Sequence, residues 1–322
     1  MNILVVGAGA IGGWLAGALA QAGASVSLLA RGAALDAVRA NGLLIQDGDE
    51  RRSYAIAAAG RVNELPAPDI IILTVKNFDF PSAVEAIAPA LRPGVAVVTA
   101  MNGVPWWFLN GVEGPLKDAR LETVDPGGRA AALLRDASPI AAVVHASTKV
   151  AGPGVIAIGK LDKLTFGDAS GEISDVAREL SRLMEASGVS APISTTIRID
   201  IWTKLWGNMS MNPVSALTRL STAPILGDAR LSRMMRAMME EFVAVGEAAG
   251  IRLPMTVDER WGLARKLGDF RTSMLADAEA GRRLEVDGLL GVVIEMAERL
   301  GLDIPTSRTV YALARGLSAS AA

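Results

Sequence analysis

Two groups of residues in this chain have types and spacing that could do chemistry: three glycines near the start, and a lysine with two asparagines further on. Gly7, Gly9 and Gly12 fall in the run ILVVGAGAIGGWLAGALAQAGASVSLLAR, residues 3 to 31, with an apolar stretch before them and another after a helix-like segment. This is the G-x-G-x-x-G spacing of a phosphate loop between a strand and a helix. The first glycine permits a tight turn, the second lets the backbone approach a pyrophosphate, and the third lets the helix pack close to the sheet. Gly7, Ala8, Gly9, Ala10, Ile11 and Gly12 would then offer backbone amides and a positive helix end to a dinucleotide. Arg31 closes the second apolar stretch, where NAD-binding chains usually carry an acid, and no Asp or Glu occurs among the first 30 residues. A guanidinium there suits a 2'-phosphate, so the expected cofactor is NADPH/NADP.

Lys204, Asn208 and Asn212 stand at intervals of four in IWTKLWGNMSMNPVSAL, residues 201 to 217. On a helix they share a face, while Ile201, Trp202 and Leu205 can pack inward. One ammonium and two amides on an otherwise apolar helix are costly unless they line a wet or ligand-filled cleft. Ser273 and Glu285, near the start of the last long helical region, are the polar groups that could reach the same cleft.

These residues need elements to hold them. Buried parallel strands are expected over 3–6, 25–30, 69–75, 95–100 and 140–144, followed by a hairpin-like β segment over 155–166 beyond Pro153 and Gly154. Two of these runs end in polar residues at the edge where open sheets bind ligands: Lys76 and Asn77, then Asn102 and Gly103. A helix over 174–187 and a short strand over 189–191 complete a first domain, 1–194. Helical patterns then dominate, over 200–220, 229–250, 255–267, 278–300 and 307–317, giving an all-α second domain, 195–322. The fold class is α/β, a Rossmann-type doubly wound sheet followed by an all-α domain. Met234, Met235, Met238 and Met239 read as core filler. Trp106 and Trp107, adjacent in VPWWFLN, read either as a plug on the sheet edge or as a wall of the substrate cleft.

Composition removes whole classes of function. Of 322 residues, 32 are basic and 34 acidic, a net charge of -2 that argues against nucleic acid as a partner. With no cysteine and a single histidine, His145, thiolate chemistry, a metal site and a Ser-His-Asp triad are all disfavoured. The uncharged opening lacks a basic leader and is interrupted by turn glycines, so it reads as neither signal peptide nor membrane helix, and a cytoplasmic location is expected.

Taken together, GAGAIG at 7–12, TVK at 74–76, NGV at 102–104, KLWGNMSMNPVSALT at 204–218, SMLAD at 273–277 and LEVD at 284–287 resemble the ketopantoate reductase (2-dehydropantoate 2-reductase) family over almost the whole chain. The resemblance implies that Lys204 donates a proton to a substrate ketone, and that Asn208, Asn212 and Ser273 hold the substrate's carboxylate and hydroxyl. It implies that Asn102 sits between nicotinamide ribose and substrate, that Lys76 and Arg31 contact the NADP ribose and phosphates, that Ala146 lines the nicotinamide site through its backbone, and that Glu285 binds the cofactor near the reacting centre. The chemistry is consistent: an ammonium can stabilise a developing alkoxide and then protonate it, and Glu285 nearby could orient that ammonium. The chain departs from the family pattern at Thr222, where an asparagine is usual, and at Ala276, where a glutamine is usual. The expected partner is a small-molecule 2-oxo acid, with 2-dehydropantoate giving (R)-pantoate as the leading reaction, and a homodimer is plausible from the apolar C-terminal helices. Two other readings stay open: a paralogue or opine-type dehydrogenase acting on another 2-oxo acid, and a non-catalytic NADPH-sensing protein.

Overall fold

The computed structural model describes residues 1–320, which divide into two compact units. The first comprises Met1–Met101 and Gly128–Ile197, and is built on one nine-stranded sheet. In chain order the strands are β1 (Asn2–Val6), β2 (Ser25–Leu29), β3 (Leu43–Asp47), β4 (Glu50–Tyr54), β5 (Ala57–Ala59), β6 (Ile70–Leu73), β7 (Ala96–Thr99), β8 (Ser138–Gly152) and β9 (Val155–Asp168), arranged β4-β3-β9-β8-β7-β6-β1-β2-β5. Its helices are α1 (Ala10–Gln21), α2 (Gly32–Asn41), α3 (Phe80–Ile87), α4 (Arg129–Leu133) and α5 (Asp175–Ala186). β1, β6 and β7 read as unbroken apolar runs, as strands buried on both faces do, and every residue of IIIL in β6 and AVVT in β7 is buried. β1 pairs in parallel with β2 on one side and β6 on the other, so the strand order reverses at β1. A reversal of this kind is where open α/β sheets bind ligands.

The β-structure is more extensive than the sequence patterns indicated. Glu50–Tyr54 turns back on Leu43–Asp47 through Gly48 at φ 56, forming an antiparallel edge whose exposed strand ERRSY carries no apolar alternation. The fifth apolar run does not stop at residue 144. β8 continues through the polar stretch HASTKVAG to Gly152, turns at Pro153 and Gly154 (φ 67), and pairs antiparallel with β9. No residue of this outer half of β8 is buried, so backbone pairing holds it without a buried face, and hydrophobic periodicity had nothing to report. The expected strand over 189–191 is absent; instead Ile193 makes one isolated bridge to Phe166.

The second unit comprises Asn102–Gly127 and the chain from Arg198 onward. It is helical: α6 (Ile197–Thr218), α7 (Thr222–Gly227), α8 (Ala229–Ala248), α9 (Val257–Lys266), α10 (Ser273–Glu279), α11 (Val292–Arg299) and α12 (Pro305–Ala319). The sequence pattern put one helix across 278–300, but the chain breaks there. Gly281 at φ 63 stops α10, Arg282 N–H closes back onto the Asp277 carbonyl at 2.9 Å, and helix resumes only through a π turn at Asp287–Gly291 before α11.

The division at 194/195 also changes. The units part at Ile197/Arg198, and Asn102–Gly127 belongs with the helices. The reason is an aromatic core. Trp202 of α6 stacks on Phe242 of α8 at a ring separation of 4.0 Å and on Phe108 at 5.7 Å. Arg198 lies over the Trp107 ring at 5.4 Å and donates to the carbonyls of Phe108 (3.0 Å) and Asn110 (2.7 Å). Met235, Met238 and Met239 are buried in α8, and Trp206 Nε1 donates to the Met239 carbonyl at 3.1 Å. Trp107 is a core residue at 1% exposure, while Trp106 is half-buried.

Trp202 is fully buried between two rings, so truncation removes a large transfer free energy and leaves a cavity. Trp202→Ala is expected to destabilise the helical unit by about 3–5 kcal/mol. Urea unfolding should show this as a lower midpoint, and an unchanged midpoint would show that the stack is dispensable.

Candidate functional site

In the first unit the glycine loop is closed by contact distances that only glycine tolerates. Gly7 follows β1 at φ 105, and its N–H donates to the Leu29 carbonyl at 2.9 Å. A Cβ on Gly12 would lie 2.0 Å from the Gly7 carbonyl oxygen and 2.3 Å from Thr74 Oγ1, so α1 rests directly against the loop. Thr74 pins the turn by donating its hydroxyl to the carbonyls of Val6 (2.8 Å) and Gly7 (3.2 Å). Gly9 is different: a Cβ there would meet nothing within 4 Å. It is the N-cap of α1, no side chain caps that end, and no acid occupies the first turn. The first amides of α1 and the positive end of its dipole are therefore left for an anion. Ala8, Ala10 and Ile11 lie around this opening, and the cradle fits a pyrophosphate.

Arg31 caps α2 just beyond β2 with its side chain 87% exposed, 3.6 Å from the Asp79 carboxylate. An exposed pair of this kind is worth about 0–1 kcal/mol, so the guanidinium can exchange that partner for a phosphate. Lys76 is half-buried at the turn after β6 and leads into a single 3₁₀ turn, Asn77–Asp79. Ala146 lies in β8 where the register against β9 shifts on either side of it, between His145 and Ala146 and between Ala146 and Thr148. Such a bulge takes backbone groups out of the regular ladder, which suits a residue expected to act through its backbone.

In the second unit, α6 carries the expected stripe. Lys204 and Asn208 are half-buried and Asn212 is 6% exposed. Asn208 Nδ2 donates to Asn102 Oδ1 at 3.5 Å, a long contact that joins α6 to the turn after residue 101, where Gly103 adopts φ 83. Glu285, 6% exposed in the break between α10 and the π turn, acts electrostatically on Lys204. Burial lowers the Lys204 pKa to about 8, and the Glu285 carboxylate opposes that fall. The helix break therefore matters to the site: it is the irregular segment between α10 and α11 that carries the carboxylate.

The other expected residues stand apart. Ser273 is exposed at the start of α10, where the capping group is Thr272, whose Oγ1 accepts from Leu275 N–H at 3.1 Å. Among the described residues no hydrogen bond joins Ser273 or Asn212 to Lys204 or Asn208. Thr222 is occupied structurally: its Oγ1 donates to the Gly268 carbonyl at 3.0 Å and accepts from Phe270 N–H at 2.9 Å. One residue escaped the sequence reading. Arg260 of α9 places its guanidinium against Gly207, where a Cβ would lie 2.3 Å from Nη2. The only local signal for it is Gly207 itself, a glycine inside a long helix.

Comparisons with known proteins cover both units. The family model described as "Ketopantoate reductase PanE/ApbA" matches residues 3–171, and its C-terminal counterpart matches residues 196–318. A 2-dehydropantoate 2-reductase of Mesorhizobium japonicum is 42% identical over 320 residues, covering 99% of this chain and 98% of that protein. The crystal structure of a Ralstonia solanacearum MolK2 protein is 37% identical with a TM-score of 0.92, covering 99% of this chain and 98% of that one. A D-mandelate dehydrogenase crystallised with NADH and anilino(oxo)acetate shares the fold at a TM-score of 0.84 and 18% identity, covering 100% of this chain and 99% of that one. Among the described residues no helix is long and apolar enough to cross a membrane.

Because Glu285 raises the Lys204 pKa, neutralising it should lower that pKa below its present value of about 8. Nitrogen or carbon NMR of lysine-labelled Glu285→Gln protein across pH would register the shift, and an unmoved or higher pKa would exclude the pairing.

Proposed function

The chain belongs to the ketopantoate reductase family, and we propose that this oxidoreductase reduces a 2-oxo acid to a 2-hydroxy acid with NADPH, 2-dehydropantoate to (R)-pantoate being the leading candidate. The observation that carries this reading is the half-buried Lys204, electrostatically coupled to Glu285 and on one helical stripe with Asn208. The glycine loop of the first unit binds the cofactor pyrophosphate, with Arg31 meeting the 2'-phosphate and Lys76 the ribose and phosphates. Ala146 lines the nicotinamide site by its backbone.

NADPH, when bound, supplies the hydride. The protein supplies the proton and the geometry. Negative charge grows on the ketone oxygen as the carbonyl carbon is reduced, and the Lys204 ammonium within hydrogen-bond reach lowers the energy of that charge and then gives up its proton. A pKa near 8 suits a proton donor, since the group is mostly protonated at neutral pH yet releases its proton far more readily than an exposed lysine does. Glu285 keeps the ammonium charged and oriented. Asn208, Asn212 and Ser273 hold the substrate's carboxylate and hydroxyl, and Asn102 bridges substrate and ribose. The non-catalytic sensor reading has no need of this arrangement.

Lys204→Ala should lower kcat about 10²- to 10⁴-fold while NADPH still binds, as followed by nucleotide fluorescence. In the unmutated enzyme kcat/KM for ketone reduction should be level below pH 8 and fall above it, because only the ammonium form donates. A near-normal rate in Lys204→Ala would remove the lysine from the mechanism. For the cofactor, Arg31→Ala should raise KM for NADPH much more than for NADH, consistent with loss of charge-assisted bonds worth about 1.5–3 kcal/mol. Equal use of the two nucleotides by the unmutated protein would overturn the NADPH assignment.

A further inference from the structure

The segment LEVD, residues 284–287, carries two carboxylates, and the reductase reading gives a task only to the first. Glu285 acts on Lys204, whereas Asp287, two residues on, faces α12. Its Oδ1 accepts from the Tyr311 hydroxyl at 2.7 Å and from Arg315 Nη1 at 2.8 Å. On the other side of Glu285, Leu284 N–H donates to Ser318 Oγ, also on α12, at 3.0 Å. Tyr311, Arg315 and Ser318 follow one another at intervals of four and three, so they share one face of that helix. That face grips the chain on both sides of Glu285.

The backbone between these grips has no regular structure of its own. Glu285 lies between the stop at Gly281 and the π turn at Asp287–Gly291, a rare form that recurs at functional sites. Leu289 N–H donates to the Glu285 carbonyl at 3.2 Å, so the direction of that turn fixes where residue 285 stands. The Tyr311 ring backs the turn: a Cβ on Gly291 would lie 3.1 Å from Tyr311 Cε2 and 3.4 Å from its hydroxyl oxygen. We propose that Tyr311 and Arg315, acting through Asp287, are positioning residues for Glu285 and hold its carboxylate where it serves the Lys204 ammonium, an inference that rests on the reductase reading above.

Geometry and charge can be separated at these two residues. Burial and the Asp287 carboxylate push the Tyr311 phenol up from its ordinary value, so it stays neutral where Lys204 titrates. Removing its hydroxyl therefore reaches Lys204 only through the position of Glu285. Arg315 supplies the opposite control: losing its positive charge would by itself raise the Lys204 pKa, whereas releasing Glu285 lowers it. Further charges bear on Lys204 and Glu285: Asp200, one turn earlier on α6; Arg260 of α9, against α6 at Gly207; and Arg283 with the Arg282–Asp277 pair, just before Glu285. Glu122, Glu295, Glu298 and Arg299 line the cavity beside Tyr311. The substitutions below leave all of these in place.

The test is carbon NMR of lysine-labelled protein across pH, with the Lys204 signal identified by its loss in Lys204→Ala, beside steady-state kinetics with NADPH and the best 2-oxo acid found. Tyr311→Phe keeps the ring against Gly291 and so keeps the fold. It should lower the Lys204 pKa by about 0.4 to 1, the equivalent of one hydrogen bond, and carry the high-pH fall of kcat/KM down with it. At neutral pH kcat should drop about 2- to 10-fold while KM for NADPH stays unchanged. Arg315→Met should also lower the Lys204 pKa, against the sign of its lost charge, and Arg315→Lys should restore most of the unmutated value. In a Glu285→Gln background Tyr311→Phe should move Lys204 no further, because no carboxylate is left to hold. A Lys204 pKa that Tyr311→Phe leaves unmoved, that Arg315→Met raises, or that Tyr311→Phe shifts equally with and without Glu285 would each overturn the assignment. The first of these, joined to a lower urea midpoint, would make α12 a support for stability alone. If the unmutated protein reduces no 2-oxo acid, the reductase reading falls, and the same titration still decides whether α12 positions Glu285.

Discussion

The Lys204 ammonium sits where burial pulls its pKa down to about 8 while the Glu285 carboxylate pulls the other way, and the helical unit is arranged around that balance. Losing water makes the proton easier to give up, and an acid nearby opposes that loss. Both effects require a rigid setting. The stack of Phe108, Trp202 and Phe242 fixes the rotation of α6, and hence the direction in which its polar stripe faces. The interruption at Gly281 frees the segment that carries Glu285 from helical geometry. A continuous helix over 278–300 would have fixed residue 285 by helical period alone. The break lets packing decide where it goes.

The first unit answers a different demand with distances rather than charge. Gly7, Gly12 and Thr74 bring β1, α1 and the turn after β6 so close that no side chain fits at Gly12, while Gly9 alone is left open. The same residue type serves contact at one position and vacancy at another. Under the proposed function, cofactor phosphate would be met by backbone, which cannot drift, and by Arg31, whose exposed side chain can swing.

What the sequence disclosed follows from the range of each interaction. The glycine loop was legible because its spacing encodes local backbone geometry, and the Lys204 and Asn208 stripe because helical period is local too. Glu285 was legible only as a polar group that could reach the same cleft, and it was the family resemblance that gave it a role there. The outer half of β8 was illegible because HASTKVAG is held by ladder hydrogen bonds, with no apolar face to give it a period. Arg260 was missed because its place against Gly207 joins two helices far apart in the chain, and which side chain fills the space beside a glycine can be seen only once every neighbour is in place. The membership of Asn102–Gly127 was hidden for a similar reason: VPWWFLN reads as aromatic, but which core takes Trp107 and Phe108 is decided by Arg198 and Trp202, far along the chain.

That last feature constrains how the chain comes off the ribosome. The sheet unit has all of its residues once Ile197 has emerged, whereas Asn102–Gly127 is made early and has no helical partner until Arg198, Trp202 and finally Phe242 follow. During that interval two adjacent tryptophans and a phenylalanine must wait in a segment without regular structure, and this is the stretch of the nascent chain that a chaperone would find most adhesive. It also means the helical unit cannot be excised by a single cut. A fragment starting at Arg198 would lack Trp107, Phe108 and Asn102, so it would lose part of its own core and the residue that pairs with Asn208.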